Sequence, residues 1–223
     1  MSTLAAGFVW PCLPVRAPVP SSGDLWLHEI KHDDFRVIAR KTGRRVKLYS
    51  RPGNDPTCRF PLIVEALAKL RLRSCIIDGE AVACGDDGIA DFERIRYRRN
   101  NDSVFLYAFD LIELNGDDLR HDPLTARRAL LGNLLASPAP GLRLNAHVED
   151  DGPVVFEHAC KLGLEGIVSK RKDSRYLSGR SQHWIKSKNP NAPAVKREAE
   201  ETWSRGRPSA RTNALYLQPN ASY

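Results

Sequence analysis

The sequence holds no uninterrupted apolar run long enough to cross a bilayer, which excludes a helical membrane anchor within it. Its first twenty residues lack a basic leading segment and are broken by prolines, so a secretion signal is not expected. No two cysteines stand as CxxC, and Cys12, Cys58, Cys75, Cys84 and Cys160 match no zinc spacing. An odd thiol count without an export signal fits reduced cysteines in a cytosol. Cys75 lies in an apolar run and reads as packing. His28, His32, His121, His147, His158 and His183 are scattered without metal-ligand spacing. There is no internal repeat. Acidic charge is also in deficit: 34 Lys plus Arg against 27 Asp plus Glu leave a formal net charge of +7. That balance suits a polyanionic partner, nucleic acid first, or simply a soluble basic surface.

What is present is a core-forming chain of 223 residues, 42% hydrophobic and 27% charged. The first 23 residues, rich in Pro, Ser and Ala, read as an extended arm with little regular structure. WLHEIK, FRVIAR and RVKLYS then read as short strands, with KTGRR as the turn between the last two. LIVEALAKL carries helical spacing, SCIIDGEAVAC reads as one bent strand or two, and SVFLYAFDLIEL as a long strand closed by NGDD. FERIRYRR is a basic helix candidate and PLTARRALLGNLL a helix opened by proline. LRLNAHVE reads as a strand, VVFEHACKLG as a helix ending at Gly163, and GIVSKR and HWIKSK as closing strands. This order is no regular βαβ alternation. An α+β fold with largely antiparallel sheets follows. Beyond Asn189 the chain turns polar; AVKREAEETW could form one helix, and the rest reads as a basic tail over 191–223.

Glu29-Ile-Lys-His-Asp-Asp-Phe-Arg36 is the most informative stretch. On a strand, Glu29, Lys31 and Asp33 share one face. A lysine between carboxylates is either a buried ion pair or a nucleophile tuned by its neighbours. Further along stand Ser50-Arg-Pro-Gly53, Asp78-Gly-Glu80, Tyr107-Ala-Phe-Asp110, Glu165-Gly-Ile-Val-Ser-Lys170 and Trp184-Ile-Lys-Ser-Lys188. Tyr176, Ser178, Gly179, Arg180, Ser181, Trp184 and Lys186 form YxSGRSxxWxK.

Taken in this order, these motifs resemble those of the nucleotidyltransferase domain of ATP-dependent DNA ligases, of the bacterial repair and end-joining type. The resemblance covers about residues 24–190. It implies antiparallel sheets flanked by helices around a nucleotide cleft. Lys31 would attack the α-phosphorus of ATP and carry AMP. Arg36 and Arg51 would hold ribose or phosphate oxygens through their planar forks of donors. Glu80 would serve the ribose and, with Glu165, a divalent metal, Mg²⁺ or Mn²⁺, for which one or two carboxylates suffice. Phe109 would stack on adenine, Glu29 would help select it, and Lys186 and Lys188 would share a strand face and reach the α-phosphate. The implied partners are nicked or broken double-stranded DNA and other repair proteins, without a membrane, for a monomer in the bacterial cytosol at the nucleoid.

Two departures from the family pattern stand out. Asp34 replaces the usual glycine after the aspartate of the lysine motif, where glycine lets the backbone turn beside the nucleotide. Pro52 stands before Gly53 where a polar residue is common. Only about 35 polar residues follow Lys188, too few for the OB-fold domain of about a hundred residues that ligases carry. The expectation is therefore an adenylation domain alone. A catalytically decayed relative that binds DNA as a scaffold, and an enzyme that adenylates RNA ends or a non-nucleic-acid acceptor, are the alternatives. RIRYRR (94–99) and SKRK (169–172) are candidate DNA-backbone contacts, or plain solvated charge.

Overall fold

The computed structural model describes residues 7–32, 35–84, 94–95, 103–137, 139–193 and 195. Asp33, Asp34, most of RIRYRR and nearly all of the stretch from 191 to the end lie outside them, so the expectations placed there have no structural counterpart.

Two sheets carry the fold. The first contains β1 (Cys12–Arg16), β2 (Trp26–Ile30), β9 (His147–Val148), β10 (Gly166–Arg171) and β11 (Gly179–Lys188), in the order β1-β11-β10-β2-β9. The second contains β3 (Phe35–Thr42), β4 (Arg45–Ser50), β5 (Ser74–Val82), β6 (Phe105–Leu114) and β7 (Asp117–Asp118), in the order β4-β3-β5-β6-β7, with β8 (Leu142–Leu144) beside β6. Among the described residues, the longer helices are α1 (Pro61–Lys69), α2 (Leu124–Leu134) and α3 (Gly152–Lys161). The α+β expectation is met. The sheets are mixed, because β1 runs parallel to β11 and β8 runs parallel to β6.

Local sequence explains most elements. Gly43 takes a positive φ in the β3–β4 turn, and Asn115 (φ 54°) with Gly116 (φ 101°) closes the β6–β7 hairpin, the left-handed pair that an Asn-Gly turn supplies. Pro61 opens α1, whose buried Ile63, Ala66 and Leu67 sit at helical spacing against one face of the second sheet. There Val37, Ala39, Leu48, Ile77, Ala81, Leu106 and Ala108 form the larger core. A smaller core, with Leu27, Ile38, Ile76, Phe109, Ile112, Tyr176 and Trp184, fills the space between the sheets.

Two elements depart from the sequence reading. The arm at 1–23 contributes β1, whose Cys12 is fully buried. Pro14 sits in an edge strand beside a register shift, the one setting in which a sheet tolerates proline. LRLNAHVE splits into β8 and β9, one in each sheet. Of the two readings of SCIIDGEAV, the single strand is the one found, as β5, whose pairing with β6 shifts register twice.

Candidate active site between the sheets

Register decides which side chains meet. In the first sheet Val168 pairs with Glu29 and with Lys186, Lys170 pairs with Leu27 and with Trp184, and Gly166 pairs with Lys188. Directly opposed residues share a face. Leu27, Glu29, Val168, Lys170, Trp184, Lys186 and Lys188 therefore look the same way, and Lys31 continues that alternation one step past β2. In the second sheet Arg36 pairs with Glu80, which pairs with Tyr107, and Ile38 pairs with Asp78, which pairs with Asp110. This face meets the first: the Phe109 and Trp184 rings lie edge-on, 6.0 Å apart.

At one end of the shared space, the Lys31 backbone N–H donates to the Gly166 carbonyl at 2.9 Å. Its Nζ donates to Glu165 and to the His32 carbonyl. The second Glu165 oxygen lies 3.2 Å from Lys188 Nζ, so one buried carboxylate, 7% exposed, bridges two lysines. Glu80 completes the group. Burial pushes its carboxyl pKa up, while the charges of Lys31 and Arg36 oppose that rise. The His32 ring stacks on Tyr107 at 4.5 Å and meets Asn145 at 3.1 Å; burial pushes the imidazole pKa down.

Deeper in, Glu29 is surrounded by donors. Arg128 from α2 bonds its Oε1, and Lys170 (2.7 Å) and Asn145 (3.2 Å) donate to its Oε2. Burial pushes the Lys170 pKa down, against the Glu29 charge. Lys170 Nζ also lies 4.1 Å from the centroids of both Phe109 and Trp184.

Arg36 occupies a different place from the one the motif suggests. Its Nε and Nη2 donate to the two oxygens of Asp78, at 2.6 and 2.8 Å, and Nη2 also reaches the Cys12 carbonyl. Burial disfavours this guanidinium charge, but Asp78 outweighs it and holds the pKa above its ordinary value. The Tyr176 hydroxyl donates to Asp78 at 2.6 Å and accepts the Cys12 N–H at 3.0 Å. Arg36 thus ties β1, β3 and β5 together, with its carbon Cζ 4.4 Å from the Phe109 centroid.

The structure therefore brings together Lys31, Glu165, Lys188 and Glu80, and places Glu29, Arg36 and Phe109 behind them. Phe109 is 4% exposed and has Arg36 and Lys170 close to its ring, so it offers no open face for stacking in this arrangement. Arg51 stands in the exposed turn after β4, outside the contacts just described. Within SKRK, Ser169 and Lys170 are buried, while Arg171 and Lys172 pair with Asp173 and Glu149. Half of that segment is buried, and the other half is ion-paired at the surface. Sequence reading passed over Arg128, Asn145 and the Tyr107–His32 stack. Arg128 sits in a helix that reads simply as amphipathic, and nothing in the sequence marks its inner face as charged. Asp78 and Tyr176 lie within quoted motifs, but only the structure pairs them.

The donor set also bears on a metal. No group of three or more His, Cys, Asp or Glu side chains poised for an ion occurs among the described residues. Two carboxylates beside Lys31 still fit magnesium, which takes few protein oxygens and keeps water and phosphate for the rest.

Comparison with known proteins agrees with this architecture. Residues 18–188 match the family model described as ATP dependent DNA ligase domain. The chain belongs to this family. The multifunctional non-homologous end joining protein LigD of Pseudomonas aeruginosa is 39% identical over 173 residues, which is 76% of this chain and 20% of that protein. The ligase domain of M. tuberculosis LigD superposes with a TM-score of 0.73 at 32% identity, covering 81% of this chain and 60% of that one. A mycobacterial DNA ligase D complexed with ATP and MES gives a TM-score of 0.71 at 31% identity, with the same coverage. This ligase-family chain spans about a fifth of the length of the curated LigD relatives it matches. No helix among its described residues is long and apolar enough to cross a membrane.

Proposed function

We propose that this protein is an ATP-dependent adenylyltransferase of the DNA ligase type, with Lys31 as the residue that carries AMP, in the service of DNA end joining or repair. The observation that carries the reading is the Lys31–Glu165–Lys188 chain with Glu80 beside it, in the cleft of a ligase-family fold. In the first step the Lys31 Nζ lone pair attacks the α-phosphorus of ATP. A nitrogen–phosphorus bond forms, the bond to the bridging oxygen of pyrophosphate breaks, and Nζ sheds a proton to solvent. AMP then passes to a 5′-phosphate of DNA, and a 3′-hydroxyl displaces it to close the strand.

Such transfers depend on alignment and on neutralising charge on the phosphoryl oxygens. Lys188 supplies positive charge next to Lys31, and Lys186 stands two residues back on the same strand face, in line with Glu29. A divalent cation held by Glu80 and Glu165 supplies further neutralisation of the triphosphate when bound. Arg36, held by Asp78, buttresses the floor of the cleft; Arg51 contacts nucleotide only if its turn folds inward. Glu29 faces the base, and Phe109 stacks on it once Arg36 or Lys170 shifts away. Residues 24–190 form the catalytic unit, and DNA with its repair proteins in a bacterial cytosol is the setting.

Intact-mass spectrometry after incubation with ATP and Mg²⁺ or Mn²⁺ tests the reading. We expect a gain of one AMP, reversed by pyrophosphate and lost in Lys31→Ala. An equal gain in Lys31→Ala would overturn the assignment of the nucleophile. Wild-type protein that gains no AMP with either metal would overturn the enzymatic reading and favour a DNA-binding scaffold.

A further inference from the structure

The chain passes between the two sheets at two places beside the cleft. One is between Ile30, the end of β2, and Phe35, the start of β3; the other is between Leu144 of β8 and His147 of β9. Lys31 and His32 lie in the first crossing and Asn145 in the second. One side-chain hydrogen bond ties the crossings together. His32 Nε2 donates to Asn145 Oδ1 at 3.1 Å, and Asn145 Nδ2 donates to Glu29, which fixes the end of the amide that faces the ring. Asn145 is buried, its backbone N–H donates to the Ala108 carbonyl at 2.8 Å, and its own carbonyl accepts from Arg128.

The flat side of the imidazole is held as well. It stacks on Tyr107 with ring centroids 4.5 Å apart and planes 9° from parallel. Tyr107 is backed by Phe105, edge-on at 4.9 Å, and Phe105 by Arg143, whose Cζ lies 3.9 Å from the ring centroid. Tyr107 stands directly opposite Glu80 in the second sheet. The backbone is thus gripped on both sides of the lysine side chain: the Lys31 N–H by Gly166 of the first sheet, and the next residue by the sheet that carries Glu80. The His32 carbonyl also accepts from Lys31 Nζ, so a shift of His32 displaces a direct partner of the amine. Burial pushes the imidazole pKa down, and at neutral pH the ring brings no positive charge next to Lys31. What the ring contributes is its stacking and its one hydrogen bond.

We propose that His32, clamped by Tyr107 and Asn145, is a positioning residue that fixes the Lys31 amine relative to Glu80 and Glu165. This rests on the reading of Lys31 as the residue that carries AMP, and it adds a route by which the second sheet places a nucleophile borne by the first. Attack on phosphorus is sensitive to placement, since an error of about 1 Å can cost about a hundredfold in rate.

The test is the single-turnover rate of AMP attachment, followed by intact mass over a range of ATP concentrations. The proteins are wild type, His32→Ala, His32→Phe, Tyr107→Leu and the double variant His32→Ala/Tyr107→Leu. We expect His32→Ala to lower the rate at saturating ATP by at least about tenfold and to move the half-saturating ATP concentration by less than about threefold. His32→Phe keeps a ring for Tyr107 and should recover most of the rate. Tyr107→Leu should slow attachment too, and the double variant should be within about twofold of the slower single one, because both changes remove the same contact. A residue that only stabilises the fold would leave the rate per folded molecule unchanged, and a ring acting through its nitrogen would leave His32→Phe as slow as His32→Ala; either result overturns the proposal. If His32→Ala does not fold, Tyr107→Leu is judged on the same rates. Exchange of the Lys31 amide hydrogen, read by NMR without ATP, keeps the two readings apart. Wild type that takes up no AMP overturns the covalent role of Lys31. Amide exchange at least about tenfold faster in the folded variant than in wild type then still supports the clamp, and equal exchange overturns it.

Discussion

Arg127 and Arg128 are sequence neighbours with different partners, because successive helical residues point about 100° apart. Arg127 donates from Nε and Nη2 to the two oxygens of Asp110, both at 2.8 Å, and its Nη1 reaches the carbonyls of Asp122 and Ser174. Both charged groups of this pair are fully buried. Asp110 lies beside Asp78 in register, so two like carboxylates face one another across β5 and β6, and each is answered by its own arginine. Removing one partner of such a pair strands the other without water. Arg127→Met should cost about 3–5 kcal/mol in the stability read by urea denaturation, well beyond what lost packing alone would cost. A cost below about 1 kcal/mol would mean that Asp110 takes up a proton or finds another donor. Nothing in TARRALL distinguishes these arginines from surface residues. Their burial follows from the carboxylates above them, which the linear sequence places far away.

The elements with strong local signals were legible and those set by tertiary pairing were not. The β3–β4 hairpin, the Asn-Gly turn after β6, and α1 behind Pro61 each carry turn or cap chemistry in a few adjacent residues. The cleft lysines were legible too, since Lys186 and Lys188 alternate on a strand and Lys31 lies in a motif. By contrast β1 is held by pairing with β11, close to 170 residues away, and its proline argues locally against a strand. The antiparallel order hid one further constraint at the start of β10. Gly166 takes φ 140°, and a Cβ there would stand 2.0 Å from the Ser187 carbonyl oxygen. Its own carbonyl receives the Lys31 N–H, and its neighbour Glu165 bridges Lys31 and Lys188. Gly166→Ala should therefore force β10 away from β11 and pull this bridge apart. The expected result is a stability loss of about 2–3 kcal/mol by thermal or urea unfolding, together with a fall in AMP attachment steeper than in a distant variant of equal stability. Attachment at the wild-type rate would show that the lysines do not depend on the β10–β11 register.

At the scale of the whole molecule, ionic interactions fall into two sets. The cleft pairs Lys31–Glu165, Glu29–Lys170 and Arg36–Asp78 are buried or nearly so, whereas pairs such as Lys69–Glu65 and Lys161–Glu157 are exposed. The excess charge of +7 belongs to the chain as a whole and cannot be spent in balanced pairs. Composition alone left a polyanionic partner and a plain basic surface both open; the proposed reaction rests on the ordered motifs, and the geometry of Lys31, Glu165 and Lys188 on the folded sheets. The two sets of charges should respond differently to salt. The Debye length shrinks from about 10 Å at 0.1 M salt to about 3 Å at 1 M, which screens exposed charges first. Binding to duplex DNA by released counterions should fall linearly in log K against log salt, with a slope of about −0.9 per phosphate contacted. AMP attachment at saturating ATP, which depends on buried contacts, should change little between 50 and 200 mM salt. Fluorescence anisotropy of a nicked duplex and intact-mass labelling over the same salt series check both at once. DNA binding that ignores salt would show that the positive excess is not its footing, and labelling that collapses in step with DNA binding would place the cleft charges in open solvent.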